Sequence, residues 1–147
     1  MDAHIIPRNI QWREEVQSGN FPVSFMAGLK ELAKSEGLWN LFLSGLKSEE
    51  PGAGLSNLDY APLAELMGRI SWASEVFNCS APDTANMELL HMFASCEQRD
   101  KWLLPLLDGR IRSAFTMTEP DVSSSDATNI QTSITKSGNG YKTNGRQ

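Results

Sequence analysis

Apolar residues recur at helical spacing through the first hundred residues of the chain. The stretch Ile5–Gly19 predicts a short helix of modest amphipathicity, and Phe21–Gly37 predicts a clearer one that ends in a left-handed cap at its last glycine. The run Leu38–Leu43 is too uniformly apolar to show a period, and we expect it to be buried. The next residues, Ser44–Gly54, include three glycines and a proline and predict a surface loop.

A third helix is expected beyond Ser56, where apolar residues return at helical spacing. Pro62 fits the first turn of that helix, which places the N-terminal cap at Asp59 or Tyr60. The expected core face of this helix consists of Leu63, Leu66, Met67 and Ile70.

Three shorter helical segments should follow. Residues Ala73–Asn78 predict a short helix, and Asp83 or Thr84 is expected to cap the next one. The stretch Glu97–Asp108 predicts a last helix that Pro105 must bend or divide, because proline removes a backbone donor and crowds the preceding turn.

The pattern changes from helix to strand near residue 110. Arg112–Thr118 mixes β-branched, aromatic and small polar residues and predicts a strand that ends before a Glu-Pro pair. Asn129–Thr135 alternates with period two, Lys136–Gly140 predicts a turn, and Tyr141–Thr143 predicts the returning antiparallel strand. The expected fold class is therefore mostly α, followed by a few β-strands.

This change of pattern is consistent with a domain boundary. We expect a helical domain over residues 1–110 and the beginning of a β-domain over residues 111–147. Two or three strands leave an open edge and little apolar surface, so the β-domain is expected to be incomplete. We therefore expect the chain to be the N-terminal part of a longer protein.

The composition of the chain argues against some classes of function. The chain has 147 residues, 40% of them hydrophobic, which is enough for an adequate core. A net charge of −5 without a basic cluster argues against a nucleic-acid surface. No apolar run approaches the roughly 20 residues that a membrane-spanning helix needs. Residues Met1–Arg8 do not resemble a secretory signal, so an intracellular, cytoplasmic location is expected, or a mitochondrial or peroxisomal one in a eukaryote.

Cysteine and histidine usage predicts no metal site. In a reducing compartment Cys79 and Cys96 should be free thiols. Together with His4 and His91 they form no recognisable zinc spacing.

The polar stretch Phe115–Asp126 carries the candidate chemistry. A strand that delivers Thr118 to a loop presents one hydroxyl and several backbone groups, which suits hydrogen bonding to a flat, imide-like ring. The serines that follow have hydroxyls able to donate to phosphate or carbonyl oxygens. The alternative interpretation is a solvated Ser/Asp turn that closes a hairpin.

These residues also carry a resemblance. Thr116–Pro120 followed by Ser124–Asp126 resembles the signature that opens the middle β-domain of the flavin-dependent acyl-CoA dehydrogenases. Upstream, Asn78–Thr84 and Trp102–Gly109 resemble the preceding helices of that family. The resemblance covers about Phe21–Arg146.

The resemblance implies FAD as cofactor and oxidation of an acyl-CoA to the trans-2-enoyl-CoA. In that family a carboxylate removes the α proton while the β hydrogen leaves as hydride to the flavin. The family's catalytic glutamate is expected beyond Gln147, so this chain is expected to contain no catalytic base and to be inactive alone. Acyl-CoA, an electron-transfer acceptor and further copies of the full-length chain are the implied partners.

The resemblance also implies individual roles. Met117 and Thr118 resemble the residues that hold the flavin pyrimidine, and Phe115 resembles a residue beside the ring. Ser124 or Ser125 resembles the serine shared by the flavin phosphate and the CoA arm, so Ser124 is a candidate for both ligands and Ser125 for the substrate. The choice stays open because this loop has one residue more than the common Glu-Pro-Gly-x-Gly-Ser-Asp pattern and lacks both glycines.

The sequence leaves two alternative functions open. An acyl-CoA oxidase shares the fold and passes electrons to oxygen. A truncated, non-catalytic protein that docks on full-length subunits would need only the helical face. Glu119 resembles a structural residue of the family motif, so we do not assign it a catalytic role.

Overall fold

The computed structural model describes residues 1–46 and 52–146 and confirms a mostly helical fold followed by strands. Besides its α-helices and strands, the described chain has two short 3₁₀ turns, Ile6–Arg8 and Ala127–Asn129, and one π-helical turn, Arg99–Leu103. Contacts divide the chain into two compact units, Met1–Ser113 and Ala114–Gln147. The helices are α1 (Asn9–Gln17), α2 (Met26–Ser35), α3 (Asn57–Gly68), α4 (Ala73–Val76), α5 (Asp83–Phe93), α6 (Cys96–Gln98) and α7 (Leu104–Leu107), and the strands are β1 (Ser133–Ser137) and β2 (Gly140–Asn144).

Two general properties concern the described chain. None of its helices combines the length and apolar character that a bilayer crossing requires. Cys79 is buried, Cys96 is exposed, and both thiols are free. The surface loop predicted over Ser44–Gly54 lies partly outside the described residues, because residues 47–51 are not among them.

Helix α2 ends in the cap that the sequence predicts. Gly37 has φ +69°, in the left-handed region. Its N–H donates to Lys34 O at 3.1 Å, and the Leu38 N–H donates to Ala33 O at 2.8 Å, which is the Schellman arrangement. The following apolar run is largely buried as expected, although Leu38 itself is 42% exposed.

The predicted start of α3 is wrong. The helix begins at Asn57, and its cap is Ser56, whose hydroxyl accepts from the Asp59 N–H at 3.2 Å. A serine hydroxyl satisfies an N–H group that would otherwise lack a partner in the first turn, and this outweighs the preference of proline for that turn. Pro62 therefore lies inside the helix.

Two clusters of apolar side chains fill the first unit. Of the core face expected on α3, Met67 is buried and Leu63 and Ile70 pack partly buried against the larger cluster, but Leu66 is 45% exposed. The prediction fails at Leu66 because helical spacing defines a wide arc, and Leu66 lies outside the part of that arc that packs against the larger cluster. The larger cluster contains Ile5, Val23, Met26, Leu29, Ala33, Trp39, Leu41, Met67, Trp72, Ala73, Val76, Phe77 and Cys79. The smaller contains Leu43, Met87, Leu103, Leu106 and Leu107.

Pro105 divides the last helix, as predicted. A π-helical turn, Arg99–Leu103, precedes α7, and the Leu104 N–H bonds five residues back to Arg99 O. Pro105 consequently sits in the first turn of α7, where a missing N–H is tolerated. Gly109 ends the helix with φ +72°, and a Cβ there would lie 2.7 Å from the Trp39 ring.

The expected cap of α5 by Asp83 or Thr84 is also wrong. Asp83 is the first helical residue, and its carboxylate is 3% exposed. One carboxylate oxygen accepts from the Ser113 N–H at 2.7 Å and from the Ser113 hydroxyl at 2.6 Å. The other pairs with Arg112 Nε. The Asp83 carboxylate thus bonds to Arg112 and Ser113, which are far along the chain, instead of capping its own helix.

Two asparagines, Asn40 buried and Asn78 partly buried, join three segments of the first unit. Asn40 and Asn78 have φ values of +52° and +55°, and Asn40 is fully buried. Asn78 Nδ2 donates to Asn40 Oδ1 at 2.7 Å and to Leu106 O at 3.0 Å. Asn40 Nδ2 and Trp39 Nε1 both donate to Leu107 O, at 2.8 and 2.7 Å. These side chains satisfy carbonyl groups at the end of α7.

The second unit contains the predicted hairpin. Strands β1 and β2 pair antiparallel with Ser137 opposite Gly140, so Gly138 and Asn139 form the two-residue turn. Strand β1 begins four residues later than Asn129, because Thr128 N–H bonds to the Asp126 carboxylate and the chain turns there instead.

The strand predicted over Arg112–Thr118 is absent from the structure. These residues run without regular secondary structure, and within the described residues the only sheet pairs β1 with β2. β-Branched and aromatic composition favours a strand only where a neighbouring strand supplies ladder partners, and the sheet within the described residues contains only β1 and β2.

We predict that Asn40→Gly lowers the free energy of unfolding by about 2–4 kcal/mol, because it removes the side-chain hydrogen bonds of a fully buried residue to Leu107 O and to the Asn78 amide. Glycine is chosen because it tolerates the positive φ of this position. Chemical denaturation measures the loss, with Asn20→Gly on an exposed loop as the matched control. Equal midpoints for the two variants would contradict this account.

Candidate functional site

The second unit is built around two buried polar side chains. Glu119 is 6% exposed and Ser124 is 3% exposed. Among residues 114–146 no other residue is buried. The centre of this unit is therefore polar, so hydrogen bonds rather than apolar contacts must hold it.

Glu119 bonds to three residues that follow it in the sequence. Its Oε2 accepts from the Gln131 N–H at 2.9 Å, and its Oε1 accepts from the Thr132 N–H at 2.8 Å. Its own backbone N–H donates to Ser124 Oγ at 2.9 Å. One residue thus ties the Glu-Pro pair to the serine run and to the segment that leads into β1.

The donors around Glu119 favour its ionised form. The Thr132 hydroxyl, followed by the backbone N–H groups of Gln131 and Thr132, lowers the pKa of Glu119 below its usual value. The carboxylate therefore acts as a hydrogen-bond acceptor at neutral pH. This agrees with the structural role that the motif implies for it.

The Ser/Asp run forms compact turns, as its composition indicates. Ser124 N–H donates to Val122 O at 2.9 Å, and Asn129 Nδ2 donates to Ser123 O at 3.3 Å. The Asp126 carboxylate accepts from the Thr128 hydroxyl at 2.7 Å and from its N–H at 3.0 Å, and these bonds lower the pKa of Asp126. The run does not close the hairpin, which has its own turn.

The predicted site residues divide into exposed and buried groups. Thr118 and Ser125 are exposed, and Phe115 is 68% exposed. Met117 is partly buried, and Ser124 is buried. In the part of the chain that the structure describes, the Thr118 hydroxyl makes no hydrogen bond.

The Glu119–Ser124 hydrogen bond brings the two ends of the motif together. Thr118 directly precedes Glu119, and Ser125 directly follows Ser124. Because neighbouring Cα atoms are about 3.8 Å apart, the exposed Thr118 and Ser125 flank the buried pair. The structure therefore places two exposed hydroxyl residues beside one anchored centre.

A shallow groove in this unit was missed by the sequence analysis. It encloses about 330 Å³ and is lined by Thr116, Thr132, Ile134, Thr143 and Gly145. A Cβ on Gly145 would lie 2.0 Å from Thr132 Oγ1, so this approach requires glycine. The available signal was the shared strand face of Thr132 and Ile134, which lie two residues apart.

Comparison with known proteins identifies the relatives of this chain. Residues 1–110 match the family model described as "Acyl-CoA dehydrogenase, N-terminal domain". The chain is 58% identical over 120 residues to "Probable acyl-CoA dehydrogenase FadE2" of Mycobacterium tuberculosis, covering 81% of this chain and 28% of that protein. It is 56% identical over 154 aligned positions to human "Acyl-CoA dehydrogenase family member 11", covering 100% of this chain and 19% of that protein.

A solved structure agrees with these relatives. A protein assigned as an acyl-CoA dehydrogenase, from Mycobacterium abscessus, superposes with a TM-score of 0.84 at 46% identity. The match covers 98% of this chain and 37% of that one. The chain thus spans well under half the length of the relatives that it matches.

We predict that Thr132→Val raises the pKa of Glu119 toward the ordinary value of 4.5, because it removes a donor to the ionised carboxylate. A lowered pKa contributes stability that is present above the ordinary value and is lost as pH falls through the folded value. Carboxyl-carbon NMR titration of Glu119 measures the shift, with exposed Thr135→Val on β1 as control. An unchanged midpoint in Thr132→Val would contradict the assignment.

Proposed function

The chain belongs to the acyl-CoA dehydrogenase family, and we propose that it forms part of an FAD-dependent enzyme that oxidises an acyl-CoA to the trans-2-enoyl-CoA. The observation that carries this proposal is the pair of exposed hydroxyl residues, Thr118 and Ser125, held beside the buried Glu119–Ser124 hydrogen bond. We further propose that residues 1–110 are the N-terminal helical domain and that residues 111–147 begin a middle β-domain.

The residues around Thr118 fit a flavin ring chemically. The exposed Thr118 hydroxyl can donate to or accept from the polar edge of the pyrimidine, and Met117 offers backbone groups beside it. The exposed ring of Phe115 offers an apolar surface to the flavin. When bound, FAD supplies a two-electron acceptor for the hydride of the substrate.

Burial separates the roles of the two candidate serines. The Ser124 hydroxyl accepts from the Glu119 N–H and is 3% exposed, so it serves to shape the loop. Ser125 is exposed, so its hydroxyl is the one available to a phosphate oxygen of the flavin or of the CoA arm. We therefore assign the ligand contact to Ser125 rather than to Ser124.

The acidic residues that are anchored in the motif are not assigned as the base. Glu119 accepts hydrogen bonds from two backbone amides, and Asp126 accepts two from Thr128. Both are held in the ionised form by donors that a proton-abstracting carboxylate would have to give up. Reduced flavin must also pass its electrons to an external acceptor, and we propose an electron-transfer partner and assembly into homo-oligomers for the intact enzyme.

We predict that Thr118→Val weakens FAD binding by about 1 kcal/mol or more, or about fivefold, the usual loss for one unpaired hydrogen bond. Titration of the intact apoprotein with FAD measures the change. Thr135→Val on the exposed strand β1, outside the groove, is the control and should bind FAD as the parent does. Unaltered affinity in Thr118→Val would remove this residue from the site.

We predict that acyl-CoA bleaches the oxidised-flavin absorbance of the intact, FAD-loaded protein under anaerobic conditions and yields enoyl-CoA. Ser125→Ala should require a severalfold higher acyl-CoA or FAD concentration for the same bleaching, because it removes a hydroxyl that donates a hydrogen bond to a phosphate oxygen. Its thermal stability should equal that of the parent. Ser124→Ala should instead lower stability, since it leaves the buried Glu119 N–H without its acceptor. No bleaching with any acyl-CoA by the parent protein would refute the proposed function, and the reverse pattern in the two variants would refute the serine assignment.

A further inference from the structure

Glu119 makes the contacts that set the shape of the candidate cofactor loop. Its side chain bonds to residues 131 and 132, and its N–H bonds to Ser124. In the described part of this unit Glu119 and Ser124 are the buried residues, so no apolar core holds these segments in its place. Thr118 and Ser125 are each one residue from these anchor points.

We propose that Glu119 is a positioning residue for the cofactor site: its ionised carboxylate fixes residues 131 and 132, its N–H fixes Ser124, and these contacts orient Thr118 and Ser125. This inference rests on the proposed function, because it concerns the same flavin contacts. Glu119 touches neither the cofactor nor the substrate in this proposal. It acts through its neighbours.

A carboxylate is the group that these contacts require. Each of its two oxygens receives one backbone N–H, at 2.9 and 2.8 Å. A carboxamide has one acceptor oxygen, and its NH₂ group would face a second N–H donor. Glu119→Gln therefore keeps the size of the side chain while breaking one of the two backbone contacts.

Shortening the Glu119 side chain to aspartate changes its length but keeps its carboxylate group. Aspartate keeps the charge and both acceptor oxygens but is one methylene shorter. It should retain one backbone contact and part of the interaction with the Thr132 hydroxyl. We expect Glu119→Asp to restore part of what Glu119→Gln loses.

The test measures FAD affinity of the intact protein for the parent, Glu119→Gln, Glu119→Asp and Glu65→Gln, an exposed carboxylate on α3 that serves as the matched control. We expect Glu119→Gln to weaken FAD binding about tenfold or more, as for loss of a hydrogen bond to a charged group. Glu119→Asp should lie between Glu119→Gln and the parent, and Glu65→Gln should equal the parent. Amide exchange in the apoprotein should show lost protection at Gln131 and Thr132 in Glu119→Gln, with α5 unchanged.

A double-mutant cycle separates positioning from general stability. If Glu119 acts through Thr118, then Thr118→Val, which costs about fivefold alone, should cost less than about twofold in the Glu119→Gln background. Additive losses in the cycle, or parent-like FAD affinity in Glu119→Gln, would overturn the proposal. Should Glu119→Gln fail to fold, the same cycle is run with Thr132→Val, which weakens the anchor without removing its charge.

The parent protein distinguishes the two levels of inference. A parent that binds no FAD would overturn the proposed function and, with it, this role of Glu119. A parent that binds FAD beside variants that bind equally well would overturn the role of Glu119 alone.

Discussion

The Leu107 carbonyl at the end of α7 lies inside the first unit, where water cannot replace a missing helical partner, and the Asn40 side chain donates to it, while the Asn78 side chain donates to the neighbouring Leu106 O. Both asparagines occupy left-handed backbone positions, which this residue type tolerates better than most. The Asn40 N–H also donates to Phe77 O at 3.0 Å, so the same residue ties its own segment to the end of α4.

The second unit follows the opposite plan. Its centre is a carboxylate bound to backbone N–H groups, and both strands of its hairpin are exposed along their whole length. Such a unit gains little from apolar burial and depends on the satisfaction of Glu119. The same contacts that give it shape also place an exposed hydroxyl residue on each side of the Glu119–Ser124 pair, so structure and proposed ligand binding rest on one group.

Charge organises the end of the first unit. Arg112 bridges Asp83 and Glu75, and Glu75 also accepts from Lys30 Nζ at 2.9 Å. Asp83 additionally holds the Ser113 backbone, the last residue of this unit. The Pro-Asp-Thr segment belongs to the family resemblance, and its Asp83 holds the last residues of this unit in place. Its place at the start of α5 did not indicate this role.

Features that depend on near neighbours could be predicted from the sequence. The helical period, the left-handed cap at Gly37, the division at Pro105 and the hairpin turn at Gly138 all follow from local backbone preferences. The motifs likewise indicated the family. Long-range packing, in contrast, sets the role of Asp83, the exposure of Leu66, the irregular backbone of residues 112–118 and the different burial of Ser124 and Ser125. Each of these depends on a partner far along the chain or on which arc of an element is covered, and local spacing carries no information about either.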